Sequence, residues 1–148
     1  MNVFEITPVS SKPLWYLSGV CVLLAALLLT IAYSAYAAYN SRAFVGEDRI
    51  TLSGGFWSRS IMVRDIDVEK MRVIDFSRDK ELSPKYRTMG IRVPGYSSGW
   101  FKLKNKEKAL LFVTNENQVA YIPTKMGYAV LTSVDHPQSF LDEITALN

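Results

Sequence analysis

The chain has 148 residues, nearly half of them apolar, with 17 basic and 14 acidic side chains and a net charge of +3. That length accommodates one core-bearing domain and a short appendage, and leaves no room for a second domain of ordinary size. The weak, interspersed charge excludes a nucleic-acid surface built on basic excess, and the single cysteine, Cys21, leaves the redox compartment open.

In chain order, residues 1–13 read as a short N-terminal tail. From Pro13 through Ser41 no residue is charged, and Leu14 to Tyr39 is predicted as a transmembrane helix. At ~1.5 Å per residue it exceeds the ~30 Å hydrocarbon thickness of a bilayer. Trp15 and Tyr16 at one end, and Tyr33, Tyr36 and Tyr39 at the other, are placed as membrane-interface anchors. A cleaved signal peptide ending near Ala35-Tyr36-Ala37 is the rival reading; the apolar stretch is longer than a usual h-region of ~7–15 residues, which favours an uncleaved anchor. Arg42 and Arg49 against Lys12 and Glu5 place the C-terminal domain in the cytoplasm under the positive-inside tendency. Small residues, among them Ser18, Gly19, Ala25 and Ala26, would let the helix pack closely with another membrane protein.

Residues 42–148 form the predicted domain, tethered by a few residues around Asn40 to Ala43. Ile50 and Leu52 alternate before Ser53-Gly54-Gly55, then Ile61, Val63 and Ile66, then Met71, Val73 and Asp75, so the first half reads as short antiparallel strands. Gly90 and Pro94-Gly95 bracket an irregular stretch. Trp100, Lys102 and Lys104 then share one strand face, Phe101 and Leu103 the other, with a hairpin tip at Asn105-Lys106. Ala109 to Thr114 is a continuous apolar run of central-strand length, and two further strands follow, with Pro123 at an edge or strand end. Pro137 opens a closing helix carrying Phe140, Leu141, Ile144 and Leu147. Strands capped by one amphipathic helix point to a small barrel or bent sheet.

No catalytic residues, cofactor or metal site are expected. His136, the only histidine, reads as a turn or capping residue, because no nucleophile or orienting partner accompanies it. Asp65, Asp67 and Glu69 alternate with Arg64, Lys70 and Arg72 and read as a solvated strand face before a cation site. The glycine pairs lack the context of a phosphate loop.

Two contact surfaces are predicted. Arg87, Arg92, Lys102, Lys104, Lys106 and Lys108 form a candidate basic patch near anionic headgroups; the same lysines also fit a solubilised strand edge, and Glu107 interrupts them. Phe56 and Trp57, after Gly54-Gly55, form a candidate aromatic contact loop, or else fold back onto the core.

The segments Pro94 to Leu103, Lys108 to Thr114, Tyr121 to Thr124 and Gly127 to Leu131, with the Asp-x-Pro-x-x-Phe-Leu spacing from Asp135, resemble bacterial pleckstrin-homology (PH) domain membrane proteins. The resemblance implies a mainly-β PH-like domain of about seven antiparallel strands in two roughly orthogonal sheets, capped by a C-terminal helix. It implies no reaction, because that fold hosts lipid, peptide and protein binding alike. The first hairpin region, Thr51 to Ser60, offers only Arg59 as a cation, so inositol-phosphate recognition is not carried over.

The reading is therefore a non-enzymatic, single-pass protein of the bacterial inner membrane. It contacts lipid through its anchor, and its PH-like domain binds a membrane-protein partner or a second copy. Direct anionic-lipid sensing is the alternative. Neither nucleic acid nor a small-molecule substrate is expected.

Overall fold

The computed structural model describes residue 10 and residues 12–148. Most of the predicted 1–13 tail lies outside the described residues. The chain divides into two compact units between Tyr36 and Ala37.

Helix α1 (Lys12–Tyr39) has 28 residues, and its Lys12–Tyr36 portion, with a mean hydropathy of 2.3, is long and apolar enough to cross a membrane, as a signal sequence near an N-terminus would also be. Its large apolar side chains from Leu14 to Ile31 are exposed. Its serine and threonine hydroxyls return to its own backbone: Ser18 Oγ donates to the Trp15 carbonyl, Thr30 Oγ1 to Ala26 and Ser34 Oγ to Thr30, each at 2.8 Å. These polar groups are thus satisfied without water, as a lipid environment demands.

The second unit contains two sheets. Strands β1 (Arg42–Val45), β2 (Arg49–Ser53) and β3 (Arg59–Met62) form an antiparallel sheet in sequence order. Strands β4 (Arg72–Ile74), β5 (Pro84–Val93), β6 (Tyr96–Leu103), β7 (Lys108–Val113), β8 (Val119–Pro123) and β9 (Ala129–Thr132) form the larger sheet, ordered β4-β8-β9-β7-β6-β5. Helix α2 (Pro137–Ala146) follows.

The mainly-β architecture with a closing helix agrees with the PH-like expectation, but it has nine strands where about seven were expected, and β7 and β9 run parallel. The parallel pair arises because β9 inserts between β7 and β8 instead of extending the meander. Ser133 fixes this insertion: its amide donates to the Phe112 carbonyl at 3.0 Å, its hydroxyl donates to the Asn115 carbonyl at 2.9 Å, and its oxygen accepts from the Asn115 amide at 3.1 Å.

The central strands of the larger sheet are buried on both faces, which explains the unbroken apolar run of β7. Leu110 and Phe112 pack with Ile50, Leu52 and Ile61 of the smaller sheet and with Phe140, Leu141 and Ile144 of α2. Ala109, Leu111 and Val113 pack on the opposite face with Phe101, Leu103 and Leu131, joined by Phe76 and Leu82 from the β4–β5 connection. We call these the α2 face and the inner face. Leu147, expected in the helical apolar series, lies past the end of α2 and is exposed.

Three local expectations are corrected. Asp65, Asp67 and Glu69 lie not on a strand but in and beside two 3-10 turns, Val63–Asp65 and Val68–Lys70. There the apolar period becomes three, pairing Val63 with Ile66 and Val68 with Met71 against the core. The tether shrinks to Asn40-Ser41, because Arg42 already begins β1. The irregular stretch from Gly90 is the second half of β5, a strand of 10 residues.

Candidate functional site: the open face of β5 and β6

Strand β5 is the edge of the larger sheet, pairing with β6 across a tight turn at Pro94-Gly95. Gly95 takes φ +77°, and a proline followed by a left-handed residue is the combination a type II turn requires. The register shifts twice, between Pro84 and Tyr86 and between Arg87 and Met89, so Lys85 and Thr88 are bulge residues. Each bulge inverts the alternation that follows. As a result, Tyr86, Met89, Ile91 and Val93 all oppose α2-face residues of β6, namely Lys102, Trp100, Ser98 and Tyr96. Arg87 and Arg92 oppose Phe101 and Ser97 and so belong to the other face.

The smaller sheet leaves this margin uncovered. Tyr86, Met89 and Val93 are 52%, 59% and 50% exposed, forming an apolar strip on an edge strand beside half-buried Trp100. Within the larger sheet, Tyr86, Met89 and Val93 are the exposed large apolar side chains among the described residues.

One end of the strip is basic and aromatic. Lys102 and Lys108 are direct cross-strand partners, a like-charge pairing that is unfavourable by itself. Lys108 Nζ lies 4.4 Å from the Trp100 ring centroid and the Arg59 guanidinium carbon 5.6 Å from it, and the ring's negative face attracts both cations. Tyr128 meets Trp100 edge-on, with centroids 5.1 Å apart. Burial raises the pKa of the Tyr128 hydroxyl.

Glu107 does not neutralise this cluster. Its carboxylate accepts a hydrogen bond from Tyr121 Oη at 3.0 Å, and Tyr121 packs on the inner face. Burial, then the Glu107 charge, push the Tyr121 hydroxyl up to about 12. Among the described residues, Arg59, Arg87, Arg92, Lys102, Lys104, Lys106 and Lys108 form no ion pair.

The predicted basic patch therefore separates into three places. Lys102 and Lys108 sit together on the α2 face. Lys104 and Lys106 are exposed in the β6–β7 turn, where Lys106 adopts φ +72°. Arg87 and Arg92 lie on the opposite face of β5. The aromatic loop separates as well: Trp57 packs against the core, while Phe56 is 75% exposed. On α1, Trp15, Tyr16, Tyr33, Tyr36 and Tyr39 are exposed, with Trp15 and Tyr16 edge-on at 5.9 Å.

A cavity of about 600 Å³ opens at the Tyr96 end of β6, between β1, β2 and the ends of β7 and β9, lined in part by Arg42, Phe44, Tyr96, Phe112 and Asp135. It is assembled from residues distant in sequence, and no local pattern announces it. His136 precedes α2 and offers no side-chain cap; its carbonyl accepts the Phe140 amide at 3.0 Å. No cluster of three metal-ligating side chains occurs among the described residues.

No curated protein and no solved structure gives a significant match. A family model described as "Bacterial PH domain" matches residues 42–147, the span from the first residue of β1 to the end of α2 and just beyond. The domain just described, two sheets closed by a C-terminal helix with one open strand margin, belongs to the bacterial PH domain family.

Proposed function

We propose that this protein is a single-pass, non-enzymatic membrane protein whose PH domain is a docking module for a protein partner. Helix α1 holds it in the bacterial inner membrane, and the domain faces the cytoplasm. The observation that carries this reading is the exposed strip of Tyr86, Met89 and Val93 beside Trp100. Apolar and aromatic groups left open on one face of a closed core mark contact surfaces. A tether of two residues between α1 and β1 would keep the surface close to the bilayer, raising its effective concentration toward membrane-bound partners.

The test is in-cell photocrosslinking of the full chain from Met89, with Glu143 on the exposed side of α2 as control. The reading expects a discrete protein adduct from Met89 that Glu143 does not give. Adducts from both positions alike, or from neither, refute it. Orientation is tested with Cys21→Ser and Lys106→Cys in one chain and a membrane-impermeant maleimide. Labelling only after lysis supports the cytoplasmic placement, and labelling of intact cells reverses it.

A second reading, contact with anionic lipid, is supported by one observation: Glu107 is engaged by Tyr121, leaving Arg59, Lys102 and Lys108 unmatched around Trp100. Each cation near anionic headgroups contributes about 1 kcal/mol. The full chain, with Trp15→Phe so that Trp57 and Trp100 report, is reconstituted in neutral or anionic vesicles carrying a headgroup quencher. Quenching that rises with anionic lipid, falls with salt and disappears in Lys102→Glu/Lys108→Glu supports this reading. Quenching indifferent to lipid charge removes it.

A further inference from the structure

The free edge of β5 says more about the partner than its apolar face does. Strand β5 ends the order β4-β8-β9-β7-β6-β5, so among the described residues no strand pairs with its outer backbone groups. An unpaired edge is a template for another strand, and folded proteins blunt such edges with proline, lysine and bulges. Here Pro84, Lys85 and both bulges fall in the first half of the strand. From Met89 to Val93 the pairing with β6 is regular, without proline, lysine or bulge, and Arg92 is the one charged residue. This half also presents Met89 and Val93 of the apolar strip.

Its charge selects the occupant. Strand β5 reads PKYRTMGIRV, with Lys85, Arg87 and Arg92 and no acidic residue. On the inner-face side, the arginines are matched by uncharged Phe101 and Ser97 and form no ion pair among the described residues. A second copy is a poor occupant, because β5 against β5 sets these cations against their own equivalents, and like charges on adjacent strands repel.

We infer that the partner adds an acidic, extended segment to the outer edge of β5, placing alternate apolar side chains beside Met89, Ile91 and Val93 and carboxylates beside Arg87 and Arg92. Backbone hydrogen bonds supply affinity in such strand addition, and the alternating side chains supply the selection. This rests on the protein-docking reading of the same face.

The experiment uses the full chain in nanodiscs and two libraries of blocked nonapeptides. One alternates Asp or Glu with apolar residues; the other has Lys or Arg at the charged positions. The acidic library is expected to yield binders that slow amide hydrogen exchange at Met89–Val93. Arg87→Glu/Arg92→Glu should weaken them at least tenfold and transfer the preference to the basic library. Arg87→Lys/Arg92→Lys should keep the original preference, guarding against a variant that merely misfolds. Equal enrichment of both libraries, no binders, or protection confined to the Lys102–Lys108 end overturns the inference. So does protection of β5 without peptide, which would assign the edge to a second copy. If the Met89 crosslink persists while the peptides fail, strand addition is lost and the docking reading stands; loss of both removes both.

Discussion

Attachment of β5 to the domain depends on a glycine pair, so Gly99→Ala is expected to be among the most damaging small substitutions in the chain. Gly99 faces Gly90 across β5 and β6. It holds φ +115°, and a Cβ placed on it would lie 2.5 Å from both the Gly90 Cα and the Met89 carbonyl oxygen, which are backbone atoms with nowhere to swing. The positive φ costs a residue bearing Cβ about 1–2 kcal/mol. Forcing the strands apart adds an overpacking cost of about 1–3 kcal/mol. The expected loss of about 2–5 kcal/mol is a large part of the ~5–15 kcal/mol typical of a domain. Gly95→Ala separates the two contributions. Gly95 also has positive φ, +77°, but a Cβ there meets nothing within 4 Å, so its cost stops at about 1–2 kcal/mol. Urea unfolding of the full chain in micelles, followed by tryptophan fluorescence, measures both. At a slope of about 1–3 kcal/mol per molar urea, the overpacking cost of about 1–3 kcal/mol should separate the two midpoints by about 0.3–3 M. A Gly99→Ala midpoint equal to or above that of Gly95→Ala would refute the close approach of β5 and β6, and with it the geometry that presents Met89 and Ile91.

The contact between the two sheets can be tested at Gly54, where an added Cβ would lie 2.6 Å from Phe112 Cδ1. Gly54→Ala should cost about 1–3 kcal/mol, and Phe112→Leu should recover part of that cost in a double-mutant cycle; additive effects would place the two residues apart. Among the described residues Ser98 Oγ is buried with no hydrogen-bond partner, so Ser98→Ala should hold or raise stability, by up to about 1 kcal/mol, and a loss of that size would reveal a partner for the hydroxyl. Tyr121 carries a pKa raised from 10.0 to about 12. Between those values the unfolded chain has released a proton that the folded one retains, so stability is full below about pH 10 and falls as pH rises toward 12. In Tyr121→Phe this part of the alkaline decline should vanish when urea midpoints at about pH 9 and about pH 11.5 are compared; an unchanged decline would detach it from Tyr121.

The elements that sequence conveys well are those with one uninterrupted period. The charge-free run from Pro13 to Ser41 yields α1, and Ala109 to Val113, apolar at every position, is legible as a strand covered on both faces. The spacing of Phe140, Leu141 and Ile144 behind Pro137 yields α2. Where the period changes midway, the reading fails. After Ile61 the apolar interval passes from two to three, because Val63, Ile66, Val68 and Met71 follow 3-10 turns into the core. The parallel β7–β9 pair is invisible for another reason: no local pattern distinguishes a strand that extends a meander from one that inserts into it. The deciding contact, Ser133 to the Phe112 and Asn115 backbone, joins residues 18 or more apart.

The candidate site was half legible, and the missing half has one physical cause. Lys102 and Trp100 were assigned to a common face because they are two apart on a regular strand. Met89, Ile91 and Val93 alternate with Gly90 and Arg92 as any strand residues do, but Tyr86 falls out of phase with them, and only a bulge at Thr88 returns it to the same face. Bulges leave little trace in residue type, so the segment reads as irregular, and Arg87 and Arg92 are grouped with lysines that the fold places on the opposite face or in the β6–β7 turn. Glu107 is a separate case: adjacent to Lys106 and Lys108 in sequence, it reads as an interruption of the basic patch, whereas its carboxylate accepts a hydrogen bond from the Tyr121 hydroxyl. The strand alternation that separates Glu107 from Lys108 leaves Lys108 free to cover Trp100. An edge that interleaves apolar and basic residues along the chain presents, in space, apolar side chains on one face and arginines on the other, and it is this separation that makes an acidic, alternating strand the complement of β5.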